Sequence, residues 1–253
     1  MQQSVTIGKD ADARQIAVIS REGKGPPVVW LGGFKSDMRA TKAGAIDDWA
    51  AKNGRAFLRF DYSGHGESGG DFEEGTISRW LEEALSVMEQ HLKERPILVG
   101  SSMGGWISLL AARHLIAKRP ALAPVGIVLI APATDMTETL MWDRFPESLR
   151  QDLEKTGVYY RPSAYSEDPY PITKKLIEDG RRHLLLGQPI QTGCPVHILQ
   201  GMEDPDVPWS HALQLVERLP GDSVSLTLIK DGDHRLSRDE DLKRLIGAIE
   251  AIA

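Results

Sequence analysis

Ser102 stands in the middle of Gly100-Ser101-Ser102-Met103-Gly104, between the apolar run Ile97-Leu98-Val99 and a segment with Ile107, Leu110, Ala111 and Leu115 at helical spacing. A serine hydroxyl is a weak nucleophile at neutral pH. It attacks a carbonyl efficiently when a base takes its proton, a carboxylate orients that base, and N–H donors meet the developing oxyanion. G-x-S-x-G at a strand-to-helix junction is a sharp, strained turn that exposes the middle serine at its apex. Gly100 and Gly104 lack a Cβ, so strand and helix can approach closely around it. Ser101 stays on the strand side and points elsewhere. The Met103 amide opens the helix, where N–H groups have no intrahelical acceptor and can stabilise an anion. An ordinary Gly/Ser turn is the competing reading; the flanking strand and helix patterns weigh against it.

Five histidines follow Ser102: His114, His183, His197, His211 and His234. His234 is the candidate base, because Lys230-Asp231-Gly232-Asp233-His234 directly follows the last predicted strand, and a loop at a strand's carboxyl end can reach the serine. His197 falls inside a strand and reads as a core or face histidine. His114 and His211 sit on predicted helices and read as surface residues. His183 lies in an irregular stretch and could line a pocket. His65, ahead of the serine, reads as a turn residue of a glycine-rich loop.

For the orienting carboxylate, the predicted strand ending at Gln200 runs into Gly201-Met202-Glu203-Asp204-Pro205-Asp206-Val207-Pro208. Glu203, Asp204 and Asp206 compete. Asp204 is favoured, since it is near the strand end and Pro205 biases it to an extended or turn conformation. Capping of the helix that starts near Pro208 is the alternative role for Asp206, and for Asp204 as well. The second oxyanion donor is expected from Gly32-Gly33-Phe34, after the third strand. The Phe34 amide would pair with that of Met103; losing one such donor typically costs about 3 kcal/mol of transition-state stabilisation.

The elements that must position these groups can be read along the chain. Strands are expected over Ser4–Ile7, Gln15–Ile19, Val28–Leu31, Ala56–Phe60, the elbow strand from Ile97, Val125–Ala131, Pro195–Gln200 and Ser225–Lys230. The first two read as a hairpin, and Gly25-Pro26-Pro27 as a chain break before the third. Helices are expected around Ala43–Ala50, ended by Asn53-Gly54, around Trp80–Leu92, after the elbow, over Ser210–Leu219 and over Leu242–Ile252. Strands alternating with helices imply a mostly parallel eight-stranded sheet with helices on both faces, an α/β fold. The alternation lapses between residues 134 and 193, which read as a small helical cap inserted over the carboxyl ends of the strands, with no convincing strand of its own. Residues 1–133 and 194–253 then form the core. Trp142, Phe145, Tyr159, Tyr160 and Leu184 to Leu186 are together candidates to roof an apolar groove above Ser102; for any one of them, packing the cap onto the core is the favoured reading. Tyr165 and Tyr170 lie in the same stretch.

Composition narrows the function classes. A chain of 253 residues with 41% hydrophobic residues can bury a sizeable core. The net charge of −6 gives no electrostatic case for nucleic acid or an anionic membrane. Apolar runs stay far short of the roughly 18 residues of a membrane span. The single cysteine, Cys194, rules out an internal disulfide and reads as a small buried residue, with a reactive thiol as the alternative. Met1 to Asp12 has neither a basic nor an apolar leader region, so no secretory signal is expected and the expected compartment is a reducing cytosol. No H-E-x-x-H, paired CxxC or EF-hand pattern occurs, and the serine chemistry needs neither metal nor organic cofactor. Gly64-x-Gly66-x-x-Gly69 imitates a dinucleotide fingerprint, but it follows an early strand in a chain that already offers a complete Ser–Asp–His set.

The chain resembles the α/β-hydrolase superfamily. Within it, the sequence is similar to the animal mitochondrial α/β-hydrolase-domain enzymes described as protein S-depalmitoylases and mycophenolic-acid acyl-glucuronide esterases. The stretches that carry the resemblance are Arg59-Phe60-Asp61-Tyr62-Ser63-Gly64, Ile97 to Trp106, Gly157-Val158 through Pro162 to Glu167, Gly201-Met202 through Val207-Pro208-Trp209, and Asp233-His234-Arg235. No transit segment is read at the N-terminus, which favours a bacterial or cytosolic relative. The resemblance implies an α/β-hydrolase fold, a triad of Ser102, Asp204 and His234, and an ester or an acylated thiol as substrate. A small-ester carboxylesterase and a non-catalytic hydrolase-fold binding protein are the alternatives. The same elbow also serves haloperoxidases and carbon–carbon hydrolases.

Overall fold

The computed structural model describes residues 2–162, 169–221 and 223–252. Its main sheet is built from β1 (Gln2–Ile7), β2 (Arg14–Arg21), β3 (Lys24–Leu31), β4 (Arg55–Phe60), β5 (Ile97–Ser101), β6 (Gly126–Ile130), β9 (Val196–Gly201) and β10 (Val224–Ile229). The order is β1-β2-β4-β3-β5-β6-β9-β10. The pairs β1–β2 and β2–β4 are antiparallel and the rest are parallel. This is the expected α/β-hydrolase architecture of eight strands.

The apolar strands account for the layering. Successive side chains point to opposite faces. Val28 and Trp30 therefore join one core with Ile97, Val99, Val128 and Ile130, under α1 (Thr41–Asn53) and α7 (Asp239–Glu250). Val29 and Leu31 join the other with Leu98, Ile127 and Leu129, under α2 (Ile77–His91), α3 (Met103–Lys118) and α6 (Trp209–Glu217). Continuous apolar runs are what a sheet buried on both faces requires. Gly54 ends α1 in the left-handed region at φ 61°, as its position predicts.

Two local expectations are corrected. Gly25-Pro26-Pro27 does not precede β3 but lies within it. The register against β4 shifts between Lys24 and Val28, and pairing with β5 starts only at Val28, so both prolines fall where no regular ladder needs their missing N–H. The stretch between residues 134 and 193 also contains strands. A π-helical turn (Met136–Met141) leads to α4 (Glu147–Thr156), then to the antiparallel ribbon β7 (Val158–Arg161) and β8 (Tyr170–Thr173), and on to α5 (Lys174–Gly180). Gly157, at φ 80°, turns α4 into β7. Near the ends of this stretch the Asp135 carboxylate accepts the backbone N–H groups of Leu185 and Leu186, each at 2.8 Å. Tyr165 and the part of the family-like stretch after Pro162 lie outside the described residues. Among those described, no helix is long and apolar enough to cross a membrane.

Candidate active site

Ser102 joins β5 to α3 at φ 55°, ψ −118°, a backbone state that L-residues rarely adopt. Its own N–H is held by the Ile130 carbonyl of the neighbouring strand at 2.8 Å. The two flanking glycines are sterically required. A Cβ on Gly100 would stand 2.3 Å from the Gly104 oxygen, and one on Gly104 would stand 2.0 Å from the Leu31 oxygen. A strained serine held between two backbone contacts keeps its hydroxyl at the apex of the turn.

The loop after β10 brings His234 to that hydroxyl, with Nε2 at 3.1 Å from Ser102 Oγ. The loop after β9 brings Asp204, whose Oδ2 lies 2.7 Å from His234 Nδ1. A carboxylate can only accept, so Nδ1 carries the ring proton and Nε2 is left to accept from the serine. Asp204 is itself fixed. Its Oδ1 accepts the N–H groups of Asp206 and Val207 at 2.9 and 2.8 Å, and Gln200 Nε2 donates to Oδ2 at 3.3 Å. These donors fix the orientation of the buried carboxylate. Neither Asp204 nor Asp206 caps α6, whose N-cap is Pro208 without a side-chain bond. Asp206 instead faces Arg161, Nη2 to Oδ1 at 3.4 Å, and Arg144 Nη1 donates to its carbonyl at 3.3 Å. Asp204, Asp206 and His234 could offer ligand atoms within 4.8 Å of one another. Within this group, Asp204 Oδ2 bonds His234 Nδ1 and Asp206 Oδ1 pairs with Arg161.

The loop after β3 lies against the elbow. A Cβ on Gly33 would sit 3.4 Å from that of Ser102. Phe34 follows, so its amide and that of Met103 stand on the two segments that flank the serine. The Phe34 ring packs edge-on against Phe72, Trp80 and Tyr170, with centroids 4.9, 5.9 and 6.1 Å away. Residues 61–70 brace this loop from below. Asp61 Oδ1 accepts the Met38 N–H at 2.6 Å and Oδ2 accepts that of Glu67 at 2.8 Å. Gly66, at φ 46°, has no room for a Cβ, which would stand 2.1 Å from Asp61 Oδ2.

His65 is more than a turn residue. Its ring is buried among Phe72, Trp80 and Tyr62. Nδ1 donates to the Ser63 carbonyl at 3.1 Å and Nε2 accepts the Lys35 N–H at 3.1 Å. Burial pushes its pKa down to about 4, which keeps Nε2 an acceptor. His211 is also corrected: it is buried, not a surface residue, and its Nε2 lies 2.8 Å from the Thr134 carbonyl. His114 is exposed and His197 is half-buried on β9. His183 contacts Ser78 Oγ at 2.7 Å, and Ser78 in turn bonds Asp179. The same His183 Nε2 lies 3.9 Å from Asp179 Oδ2, so one ring nitrogen faces both groups and the three do not form a second nucleophile–base–acid line.

The candidate pocket residues divide. Phe145 and Tyr159 pack together, centroids 5.9 Å apart, against the larger core. The Trp142 ring is flanked by the guanidinium groups of Arg150 and Arg181 at 5.4 and 4.9 Å. Tyr160, on the opposite face of β7 from Tyr159, is half exposed and donates to Glu73 Oε1 at 2.7 Å. Leu185 is buried and Leu184 is exposed. Gln200 and Lys35 were missed by sequence reasoning. An amide side chain at the end of an otherwise apolar strand was the available signal for Gln200.

A family model described as alpha/beta hydrolase family matches residues 28–248. Over 248 residues the chain is 35% identical to the palmitoyl-protein thioesterase ABHD10, mitochondrial, of Bos taurus, covering 98% of this chain and 79% of that one. A solved protein from Agrobacterium vitis S4 superposes with a TM-score of 0.97 at 50% identity, over 100% of this chain and 98% of that one. The alpha/beta hydrolase domain-containing protein 10 from mouse superposes with a TM-score of 0.87 at 33% identity, over 99% and 98%. Likeness of this extent reaches beyond the sheet into residues 134–193. The chain belongs to the alpha/beta hydrolase family and is an enzyme of the hydrolase class.

Proposed function

We propose that this chain is a serine hydrolase that cleaves carboxylic esters or thioesters through an acyl-enzyme on Ser102. The observation that carries the reading is the continuous hydrogen-bonded line from Ser102 Oγ through His234 to Asp204, at 3.1 and 2.7 Å. Ser102 Oγ attacks the acyl carbon as His234 Nε2 takes its proton. The tetrahedral oxyanion accepts from the Phe34 and Met103 amides. His234 then gives the proton to the departing alkoxide or thiolate. Water attacks the acyl-enzyme with the same imidazole as base, and Ser102 is regenerated. Asp204 holds the Nδ1 proton and stabilises the imidazolium.

Residues 134–193 act in this reading as a cap on a core of 1–133 and 194–253, and Trp142, Phe145, Tyr159 and Tyr160 as the wall and rim of an acyl groove. The bovine relative's name makes an acylated protein thiol a candidate substrate class; an acyl glucuronide is a second ester of the same chemistry. A chain with a single cysteine suits a reducing compartment such as the cytosol.

Matched thioesters and oxygen esters of increasing acyl length test the reading, together with labelling by a fluorophosphonate. Each buried methylene contributes about 0.8 kcal/mol, so activity should rise from acetyl to medium chains. An acetyl-only preference removes the long-acyl reading and leaves a small-ester hydrolase. Absence of both labelling and turnover removes the serine-hydrolase reading.

A further inference from the structure

Lys42, in the first turn of α1, reaches the loop that carries His234. Its Nζ donates to the Arg235 carbonyl at 2.5 Å and lies 3.4 Å from Ser237 Oγ, which donates to the same carbonyl at 3.0 Å. Arg235 is the residue next to the imidazole. The loop is not at rest without help. Leu236 has φ 43°, a left-handed state that a bulky side chain rarely occupies. Inside the loop, Asp233 Oδ1 accepts the Leu236 N–H at 2.9 Å, and the Leu236 side chain is buried under α7. Lys42 adds a clamp from outside the loop, from a helix more than a hundred residues earlier in the chain.

We propose that Lys42 is a positioning residue for His234: by holding the Arg235 carbonyl it keeps the strained loop in the one conformation that presents Nε2 to Ser102. The proposal rests on the serine-hydrolase reading above. The groups facing the ammonium set its titration. Burial disfavours the charge, Asp233 favours it, Arg235 opposes it and Asp241 favours it, and the balance lowers its pKa to about 8. A charged donor makes a hydrogen bond roughly twice as strong as a neutral one. The clamp therefore loosens as pH rises through about 8.

The test compares the full-length chain with Lys42→Met and Lys42→Arg. Turnover of a p-nitrophenyl ester is followed from about pH 6 to about pH 9.5, with thermal midpoints as the control on folding. Wild type is expected to lose about two- to fivefold in kcat across pH 8. Lys42→Met should lose about tenfold in kcat at pH 7, keep KM within about twofold, and show no alkaline fall. Lys42→Arg should restore most of kcat and hold it flat, because a guanidinium keeps its proton. Amide exchange at Leu236 should speed up in Lys42→Met and not in Lys42→Arg, whatever the chain hydrolyses. Unchanged kcat or unchanged Leu236 exchange in Lys42→Met overturns the proposal, as does an alkaline fall that persists in Lys42→Arg. If Lys42→Met fails to fold, the Lys42→Arg profile decides alone. A wild-type chain that fluorophosphonates do not label sinks the serine-hydrolase reading instead, and the exchange data still judge the loop.

Discussion

The imidazole of His65 accepts the backbone N–H of Lys35 at 3.1 Å, so a buried neutral histidine ties the glycine-rich loop to the segment that ends β3. The neutral ring is a stability statement. In the unfolded chain His65 takes a proton near pH 6.5, and in the fold it refuses one until about pH 4. The unfolded state binds more protons across that window, so stability contributed by His65 is present above pH 6.5 and is lost as pH falls towards 4, by about 3 kcal/mol. Urea unfolding of wild type and His65→Gln across this range checks it. Wild type should lose stability relative to the variant on acidification; a constant difference refutes the assignment.

Ser102→Ala is expected to abolish fluorophosphonate labelling and to cut turnover by about three orders of magnitude or more, because nucleophile, base and acid act as a unit. Ser101→Ala, on the strand side, should change turnover by less than about threefold. Equal losses at both positions would mean that the wrong serine has been assigned.

The two loop carboxylates should behave differently. Asp204→Asn leaves the geometry in place but favours the wrong imidazole tautomer, and turnover should fall by about 10⁴. Asp206→Asn weakens a half-exposed contact with Arg161 and should cost about 1 kcal/mol of stability, with turnover near wild type. Steady-state kinetics of the two variants decides, and an inactive Asp206→Asn beside an active Asp204→Asn reverses the roles.

Gly104→Ala should be among the most damaging single-methyl additions in the chain. The new Cβ would meet backbone oxygens of Leu31 and Gly32 at 2.0 and 2.5 Å, and neither β3 nor α3 can yield without moving the elbow. A loss of at least about 2 kcal/mol in urea unfolding is expected. Gly44→Ala, with open space around its Cβ, is the control and should be neutral or slightly stabilising.

The core was legible because its strands are unbroken apolar runs and its helices carry clear stop signals, Gly54 among them. Ser102, His234 and Asp204 were legible because each sits at a strand's carboxyl end, where loop chemistry is constrained by the sheet. The ribbon of β7 and β8 was not. Each strand has four residues, β8 includes Pro171, and such short segments have too little alternation to separate from a loop. His211 was misread because a surface helix buries one face, and α6 is too short for its apolar spacing to show which. Lys42 and His65 gave no signal at all. Each bonds a backbone group of a distant segment, the Arg235 carbonyl for Lys42 and the Lys35 N–H for His65, and a sequence does not record which backbone group a fold will bring near a side chain.

The chain leaves the sheet after β6 and returns at β9, and the Asp135 carboxylate fastens the two ends of that excursion through the amides of Leu185 and Leu186. A loop closed near its base has its departure and return held together, whatever chain lies between them. Insertions, deletions or rearranged helices between these two points need not alter the spacing of β6 and β9. Descendants of such a chain can exchange the whole excursion for one of different length and acquire a new range of substrates, while the strand ends below are inherited intact.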